Sequence, residues 1–191
     1  MNNYEYIIAS LPVLDLQHKE DVGVENVLAQ IREQLDAKDL AIFDFLMDSE
    51  KEENLTEEYY SKALKSPNRF IRDYFLLDLV LRNAKVEYLN FQLGRPEGKD
   101  ILEIEHPETD YKGEIEVILN GNDLLEREKG LDTFVWDRVD DMTVTDIFDL
   151  NLILAFAVKL KIVNRWLKLD PEKGRELFRR LATELIETYK I

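Results

Sequence analysis

Two segments place a carboxylate three residues ahead of a histidine, Asp15-Leu16-Gln17-His18 and Glu103-Ile104-Glu105-His106. On helices this spacing brings acid and imidazole to one face, the arrangement by which helical bundles hold paired metal ions with further glutamates opposite. Pro12 and Pro107 flank the two segments and favour loops instead. The expectation is therefore two solvated loop histidines and no metal site. Paired acids such as Glu52-Glu53, Glu57-Glu58 and Asp140-Asp141 have the residue types for acid and base roles. In a chain with 40 Asp and Glu, however, such pairs read as solvated faces. The chain has no Cys, which removes thiolate ligands, thiol nucleophiles and disulfides together. It has no glycine-rich phosphate loop, no Gly-x-Ser-x-Gly elbow and no zinc-protease helix motif. No residue stands out as a nucleophile or general base, so no catalytic residue, cofactor or small-molecule substrate is expected.

Charge says more about partners than about chemistry. The 191 residues carry a formal net charge of -15, which argues against nucleic acid, since phosphate binding draws on concentrated Lys and Arg. One segment runs the other way. From Lys159 to Arg180 eight basic residues face three acidic ones, a local balance of +5 that leaves -20 for the remainder. Two readings follow: pairing within the chain, between this basic stretch and an acidic N-terminal half, or a docking surface with Arg165, Trp166, Arg175, Arg179 and Arg180 as its anchors. Leu150 to Val158, the most apolar stretch, is closed by Asp149 and Lys159 and falls well short of the ~20 residues a membrane span needs. Met1 to Leu16, broken by Pro12 and Asp15, does not read as a signal peptide. A cytoplasmic protein that meets a membrane only through a complex is the expectation.

The elements that position these residues read as helical. Tyr4 to Ala9 is strand-like in composition and is ended by Pro12, which makes it the one candidate for a short N-terminal strand. Val24, Val27, Leu28, Ile31 and Leu35 recur at helical spacing, and Leu40, Phe43 and Met47 repeat the pattern. Asp48 to Glu53 reads as a solvated turn and Thr56 as the cap of the next helix. Ser66-Pro67 then supplies a cap and first-turn proline for the strongest element. There Phe70, Tyr74, Leu77, Leu81, Ala84, Tyr88 and Phe91 alternate spacings of four and three. This span predicts a rod of roughly 33 Å. Ile71, Phe75, Leu79, Val86 and Leu89 widen its apolar surface to meet several neighbours, while Asp78 and Arg82 are spaced to pair along it.

From Gly94 to Gly113 the pattern collapses into a connection. Helices resume with Ile115, Ile118 and Leu119, stop and recap at Asn120-Gly121-Asn122-Asp123, and open again near Thr143 with Asp146 in the first turn. Leu150 to Leu160, apolar nearly all round, is the buried centre of a second lobe. Asp170-Pro171-Glu172 starts a last helix with the stripe Phe178, Leu181, Ala182, Leu185 and Tyr189. Asp78-Leu79-Val80-Leu81 and Asn151-Leu152-Ile153-Leu154 form a weak internal match. The fold expected is all-α: a two-lobed helical bundle with long central helices, residues 1–93 as one lobe, 94–113 as the connection and 114–191 as the other, the lobes together forming one compact domain.

Several longer stretches carry a resemblance. They are Tyr4-Glu5-Tyr6-Ile7-Ile8-Ala9-Ser10-Leu11-Pro12, Asn68-Arg69-Phe70-Ile71-Arg72-Asp73-Tyr74-Phe75 and Leu81-Arg82-Asn83-Ala84-Lys85. To these add Arg165-Trp166-Leu167-Lys168-Leu169-Asp170 with Gly174-Arg175-Glu176-Leu177-Phe178. Together they are similar to a bacterial family of formally uncharacterised proteins encoded with V/A-type ATP synthases and thought to stand in for the C subunit. The spacing of Asp73, Leu77, Leu81-Arg82 and Lys85 also resembles C subunits proper. The resemblance implies a non-catalytic central-stalk component between the rotary shaft subunits and the membrane ring. A soluble acidic adaptor or assembly factor for such a complex is the alternative.

Overall fold

The computed structural model describes residues 4–17 and 22–169. Among them are eight α-helices and no strand: α1 (Glu5–Ser10), α2 (Val24–Gln34), α3 (Ala37–Met47), α4 (Glu57–Leu64), α5 (Arg69–Gln92), α6 (Tyr111–Leu119), α7 (Leu124–Thr143) and α8 (Leu150–Lys168). The solvated turn expected between α3 and α4 is two short 3-10 turns, Asp48–Glu50 and Glu52–Asn54.

Capping chemistry fixes most of the starts. Side-chain oxygens of Asp36, Thr56, Asn68, Asp123 and Asp149 accept hydrogen bonds from backbone N–H groups in the first turns of α3, α4, α5, α7 and α8. Each satisfies a donor that the helix cannot, an interaction typically contributing ~1 kcal/mol. The strongest helix starts two residues later than Ser66-Pro67 predicts: Asn68 caps it, its side-chain oxygen 2.9 Å from the Ile71 N–H, and Pro67 precedes the helix. Ser66 instead accepts from the Asn68 N–H at 3.2 Å.

Two expectations are corrected. The strand candidate Tyr4 to Ala9 is helix α1, because a strand needs a neighbouring edge and none exists among the described residues. The Tyr4 N–H bonds the Phe148 carbonyl at 2.7 Å, its hydroxyl bonds Asp39 at 2.6 Å, and Ile7 is buried. Tertiary anchoring thus overrides a β-rich composition. Thr143 ends α7 instead of opening α8, its hydroxyl bonding back to the Val139 carbonyl at 3.2 Å. The chain reverses through Phe148, a non-glycine residue at φ 51°, and Asp149 caps α8. The stop and recap at 120–123 is as expected: α6 ends at Leu119 and Asp123 caps α7 at 2.9 Å from the Glu126 N–H.

One hydrophobic core joins residues from both predicted lobes, from Tyr4 to Val158, with α5 against α4, α6, α7 and α8. Phe70, Ile71, Phe75, Leu77 and Leu79 of α5 are fully buried, as are Ile153, Leu154 and Ala157 of α8. The centre of α8 is buried as its composition requires, whereas the last residue of the α5 seam, Phe91, is 83% exposed. α6 lies against α7 at Gly130, where an added Cβ would come within 2.9 Å of Ile118. The connection between α5 and α6 follows the bundle surface. Asn83 brackets Leu102 through both its amide groups (3.0 and 3.1 Å), and Asn90 donates to the Lys99 carbonyl at 2.8 Å.

Side-chain pairings fix the directions of the long helices. Asn68 bonds Asn151 at 3.0 Å where α5 and α8 begin, and Asp78 and Lys161 interact ten residues further along each, so these helices run parallel. Lys159 pairs with Asp140 and Arg165 with Asp132, so α7 runs antiparallel to α8. Arg127 of α7 bonds the hydroxyl of Tyr88 in α5. The end of α5, the start of α7 and the end of α8 therefore lie together.

Candidate interaction surface

The register of α7 and α8 brings together two of the five residues expected to anchor a partner. Arg165 and Trp166 stand in the last turn of α8, facing Asp132, a carboxylate only 7% exposed on α7. One oxygen of Asp132 accepts both the Trp166 indole N–H, at 2.6 Å, and the Arg165 guanidinium. A charged acceptor shared by two donors holds both side chains in one orientation. The guanidinium lies 5.8 Å from the Trp166 ring centroid, and Glu128 adds a second, longer contact to Arg165 at 3.8 Å. Arg175, Arg179 and Arg180, the other three, lie outside the described residues.

Around this pair runs a groove of about 560 Å³ lined by Leu124, Leu125, Trp166 and Leu169, with Asp123, Glu128 and Arg165 on its edges. Its lining is mainly apolar, yet Leu124 and Leu169 are 66% and 59% exposed. Leu89, Phe91 and Leu93 extend the apolar surface at the end of α5. A run of large exposed apolar side chains at one end of a bundle has the character of a contact surface.

Sequence reasoning missed Asp132. It follows the buried Leu131 on a helix whose other acids include the well-exposed Glu126 and Asp141, so nothing in its spacing separates it from the solvated acids. Its proximity to the end of α8 depends on antiparallel register, which one sequence does not encode locally.

A second set of polar residues ties α4, α5 and α8 together. Tyr60 of α4 donates its hydroxyl to Asp78 of α5, and Lys161 of α8 donates to the Leu46 carbonyl at 3.1 Å and approaches Glu50 at 3.6 Å. Asp78, expected to pair along the helix with Arg82, accepts the Tyr60 hydroxyl as well, and the Arg82 charge acts on it together with that of Lys161. Burial raises the Asp78 carboxyl above its ordinary range and lowers Lys161 below that of a free amine. Burial also pushes the Tyr59 hydroxyl up to about 12. These groups tie three helices together.

His106 is exposed on the connection, its ring nitrogen 2.8 Å from the Pro107 carbonyl. The Glu103 to His106 spacing therefore lies on no helix face, as Pro107 suggested. His18 lies outside the described residues. Among the described residues no group of three or more His, Asp or Glu is placed to hold a metal ion, and no helix is long and apolar enough to cross a membrane.

A family model described as a protein of unknown function (DUF2764) matches residues 106–188, a span that takes in α6, α7, α8 and the groove. No curated protein and no solved structure matches the chain.

Proposed function

We propose that the chain is a non-catalytic, C-subunit-like component of a V/A-type rotary ATPase, placed in the central stalk between the shaft subunits and the membrane ring. The observation that supports this reading is the placement of exposed apolar side chains at opposite ends of parallel helices. Leu89, Phe91, Leu93, Leu124, Leu125 and Leu169 lie where α5 and α8 finish. Val144 (82% exposed), Ile147 (75%) and Tyr6 lie where they begin. Between them α5 extends about 36 Å and is close-packed on four other helices. A packed helical body deforms little, so a push on one end is delivered to the other, which is what a coupling piece requires.

Tagged full-length chain, expressed in cells that make such an ATPase, should be retained in stoichiometric amount with the other subunits through membrane extraction. Phe91→Glu and Ile147→Glu, one at each end, should each lower retention several-fold, since a charge in an apolar contact is costly. Val117→Glu, an exposed apolar position on the flank, should leave it unchanged. Intact complexes that lack the chain would overturn the assignment, and association confined to partly assembled complexes would favour the assembly-factor reading.

A further inference from the structure

We propose that Asp146 and Asp149 share one proton, and that this proton is the clasp that closes the turn between α7 and α8. Asp149 is only 3% exposed. Its Oδ1 accepts the N–H groups of Asn151 and Leu152 at 3.0 and 3.4 Å, whereas its Oδ2 is sealed from water and meets no N–H or hydroxyl donor among the described residues. The group within its hydrogen-bonding reach is the Asp146 carboxyl. Asn151 touches both acids, its side-chain amide donating to Asp146 Oδ2 at 3.3 Å. Two carboxyls can bond only with a proton between them. Asp146 is the ionised partner, because Arg69 of α5 donates to its two oxygens at 3.0 and 2.8 Å. Two bonds from Arg69 and one from Asn151 leave Asp146 one of about four acceptor positions for a proton held on Asp149. Burial and the neighbouring Asp146 charge accordingly raise the Asp149 carboxyl above its ordinary range, against the pull of its two backbone donors. The other charged groups around it come from α3. Lys38 and Asp39 line a cavity of about 230 Å³ with Asp149, and the hydroxyl of Tyr4, the residue ahead of α1, holds Asp39.

Between the two acids the chain is under strain. Phe148 has φ 51°, a left-handed conformation that a bulky side chain rarely adopts, and its carbonyl accepts the Tyr4 N–H at 2.7 Å. Loss of the shared proton to water sets two carboxylates against each other across this residue, so strain and repulsion act together to open the turn. A closed turn holds the proton more tightly than an open one. Closure is therefore favoured most below the ordinary carboxylate range and weakens as pH rises through the raised value. The same turn carries Val144 and Ile147, 82% and 75% exposed, so the apolar surface at this end answers to pH. The inference is independent of the ATPase reading: it concerns one turn within one chain.

Hydrogen exchange in the full-length, isotopically labelled chain tests it at single amides. After allowance for intrinsic base catalysis, protection of the Tyr4 and Asn151 N–H groups should fall about ten-fold from pH 4 to pH 8, the change expected where closing the turn raises the carboxyl by one pH unit. Asp149→Asn keeps an oxygen for the cap and supplies an amide donor where the proton stood, so both groups should hold their acid-side protection at every pH. Asp146→Asn should also abolish the dependence, at lower protection throughout, because Arg69 loses its ionic partner. Asp78→Asn, in the middle of the bundle, should leave the profile of these two amides unchanged. A wild-type profile retained in Asp149→Asn would overturn the proposal. So would a profile that moves on adding a chelator, which would put a bound cation in the proton's place.

Discussion

Where α5 and α8 begin, polar side chains tie the two first turns together. Asn68 bonds Asn151 at 3.0 Å, and Arg69 grips both oxygens of Asp146 at 2.8 and 3.0 Å. Asp149 meanwhile uses one oxygen for two backbone N–H groups. Where the same helices finish, one buried acceptor, Asp132, holds both Arg165 and Trp166 beside the bond from Arg127 to the Tyr88 hydroxyl, and the surface beyond it is leucine and tryptophan. Many shared bonds distribute the consequence of losing any one of them. A single acceptor serving two donors does not, so the finishing end should be the more fragile to one substitution while offering the larger apolar surface.

That difference is open to direct measurement. Asp132→Ala leaves the Trp166 N–H without its acceptor and the Arg165 guanidinium with only the longer contact to Glu128 at 3.8 Å. With Arg165 nearly half exposed, a loss of about 2–3 kcal/mol in urea unfolding is expected, with a change in Trp166 emission. Asn68→Ala, at the other end, removes one cap and one cross-helix bond and should cost only about 1–2 kcal/mol. Equal losses would erase the contrast drawn between the ends.

The middle of the bundle gives a pH-dependent effect. Burial raises Asp78, so the folded chain holds that proton more tightly than the unfolded one. Stability from this group is therefore greatest below the ordinary carboxylate range and declines as pH rises through the raised value. Lys161 and Arg82, which favour the ionised form, moderate the effect. Asp78→Asn keeps an oxygen for Tyr60 and should flatten this slope when urea midpoints are compared from about pH 4 to pH 8. Smallest of all, Leu124→Ser at the exposed lip of the groove should shift stability by no more than about 0.5 kcal/mol. The same change should reduce binding of a hydrophobic dye at that end.

The sequence is most legible where structure is decided within a few residues. Asn120 to Asp123 stops one helix and caps the next through contacts three residues apart, and Thr56 does the same for α4. Legibility fails where distant segments decide. Thr143 and Asp149 are both competent caps. Asp149 is used because Phe148 turns the chain in a left-handed conformation and Asp146 is held by Arg69 from α5. Tyr4 to Ala9 has the composition of a strand but no edge to join, and it becomes a helix on contact with Phe148 and Asp39. At the candidate surface, Arg165 and Trp166 stand out by residue type, whereas Asp132 emerges only once α7 and α8 are set antiparallel.

The most direct test of a coupling role is the mass of the rotary ATPase assembly extracted intact from the membrane of cells that carry this chain. The account predicts that the chain is present in fixed proportion to the shaft subunits and leaves together with them when the complex is taken apart. A complete, active assembly whose mass leaves no room for it would contradict the account.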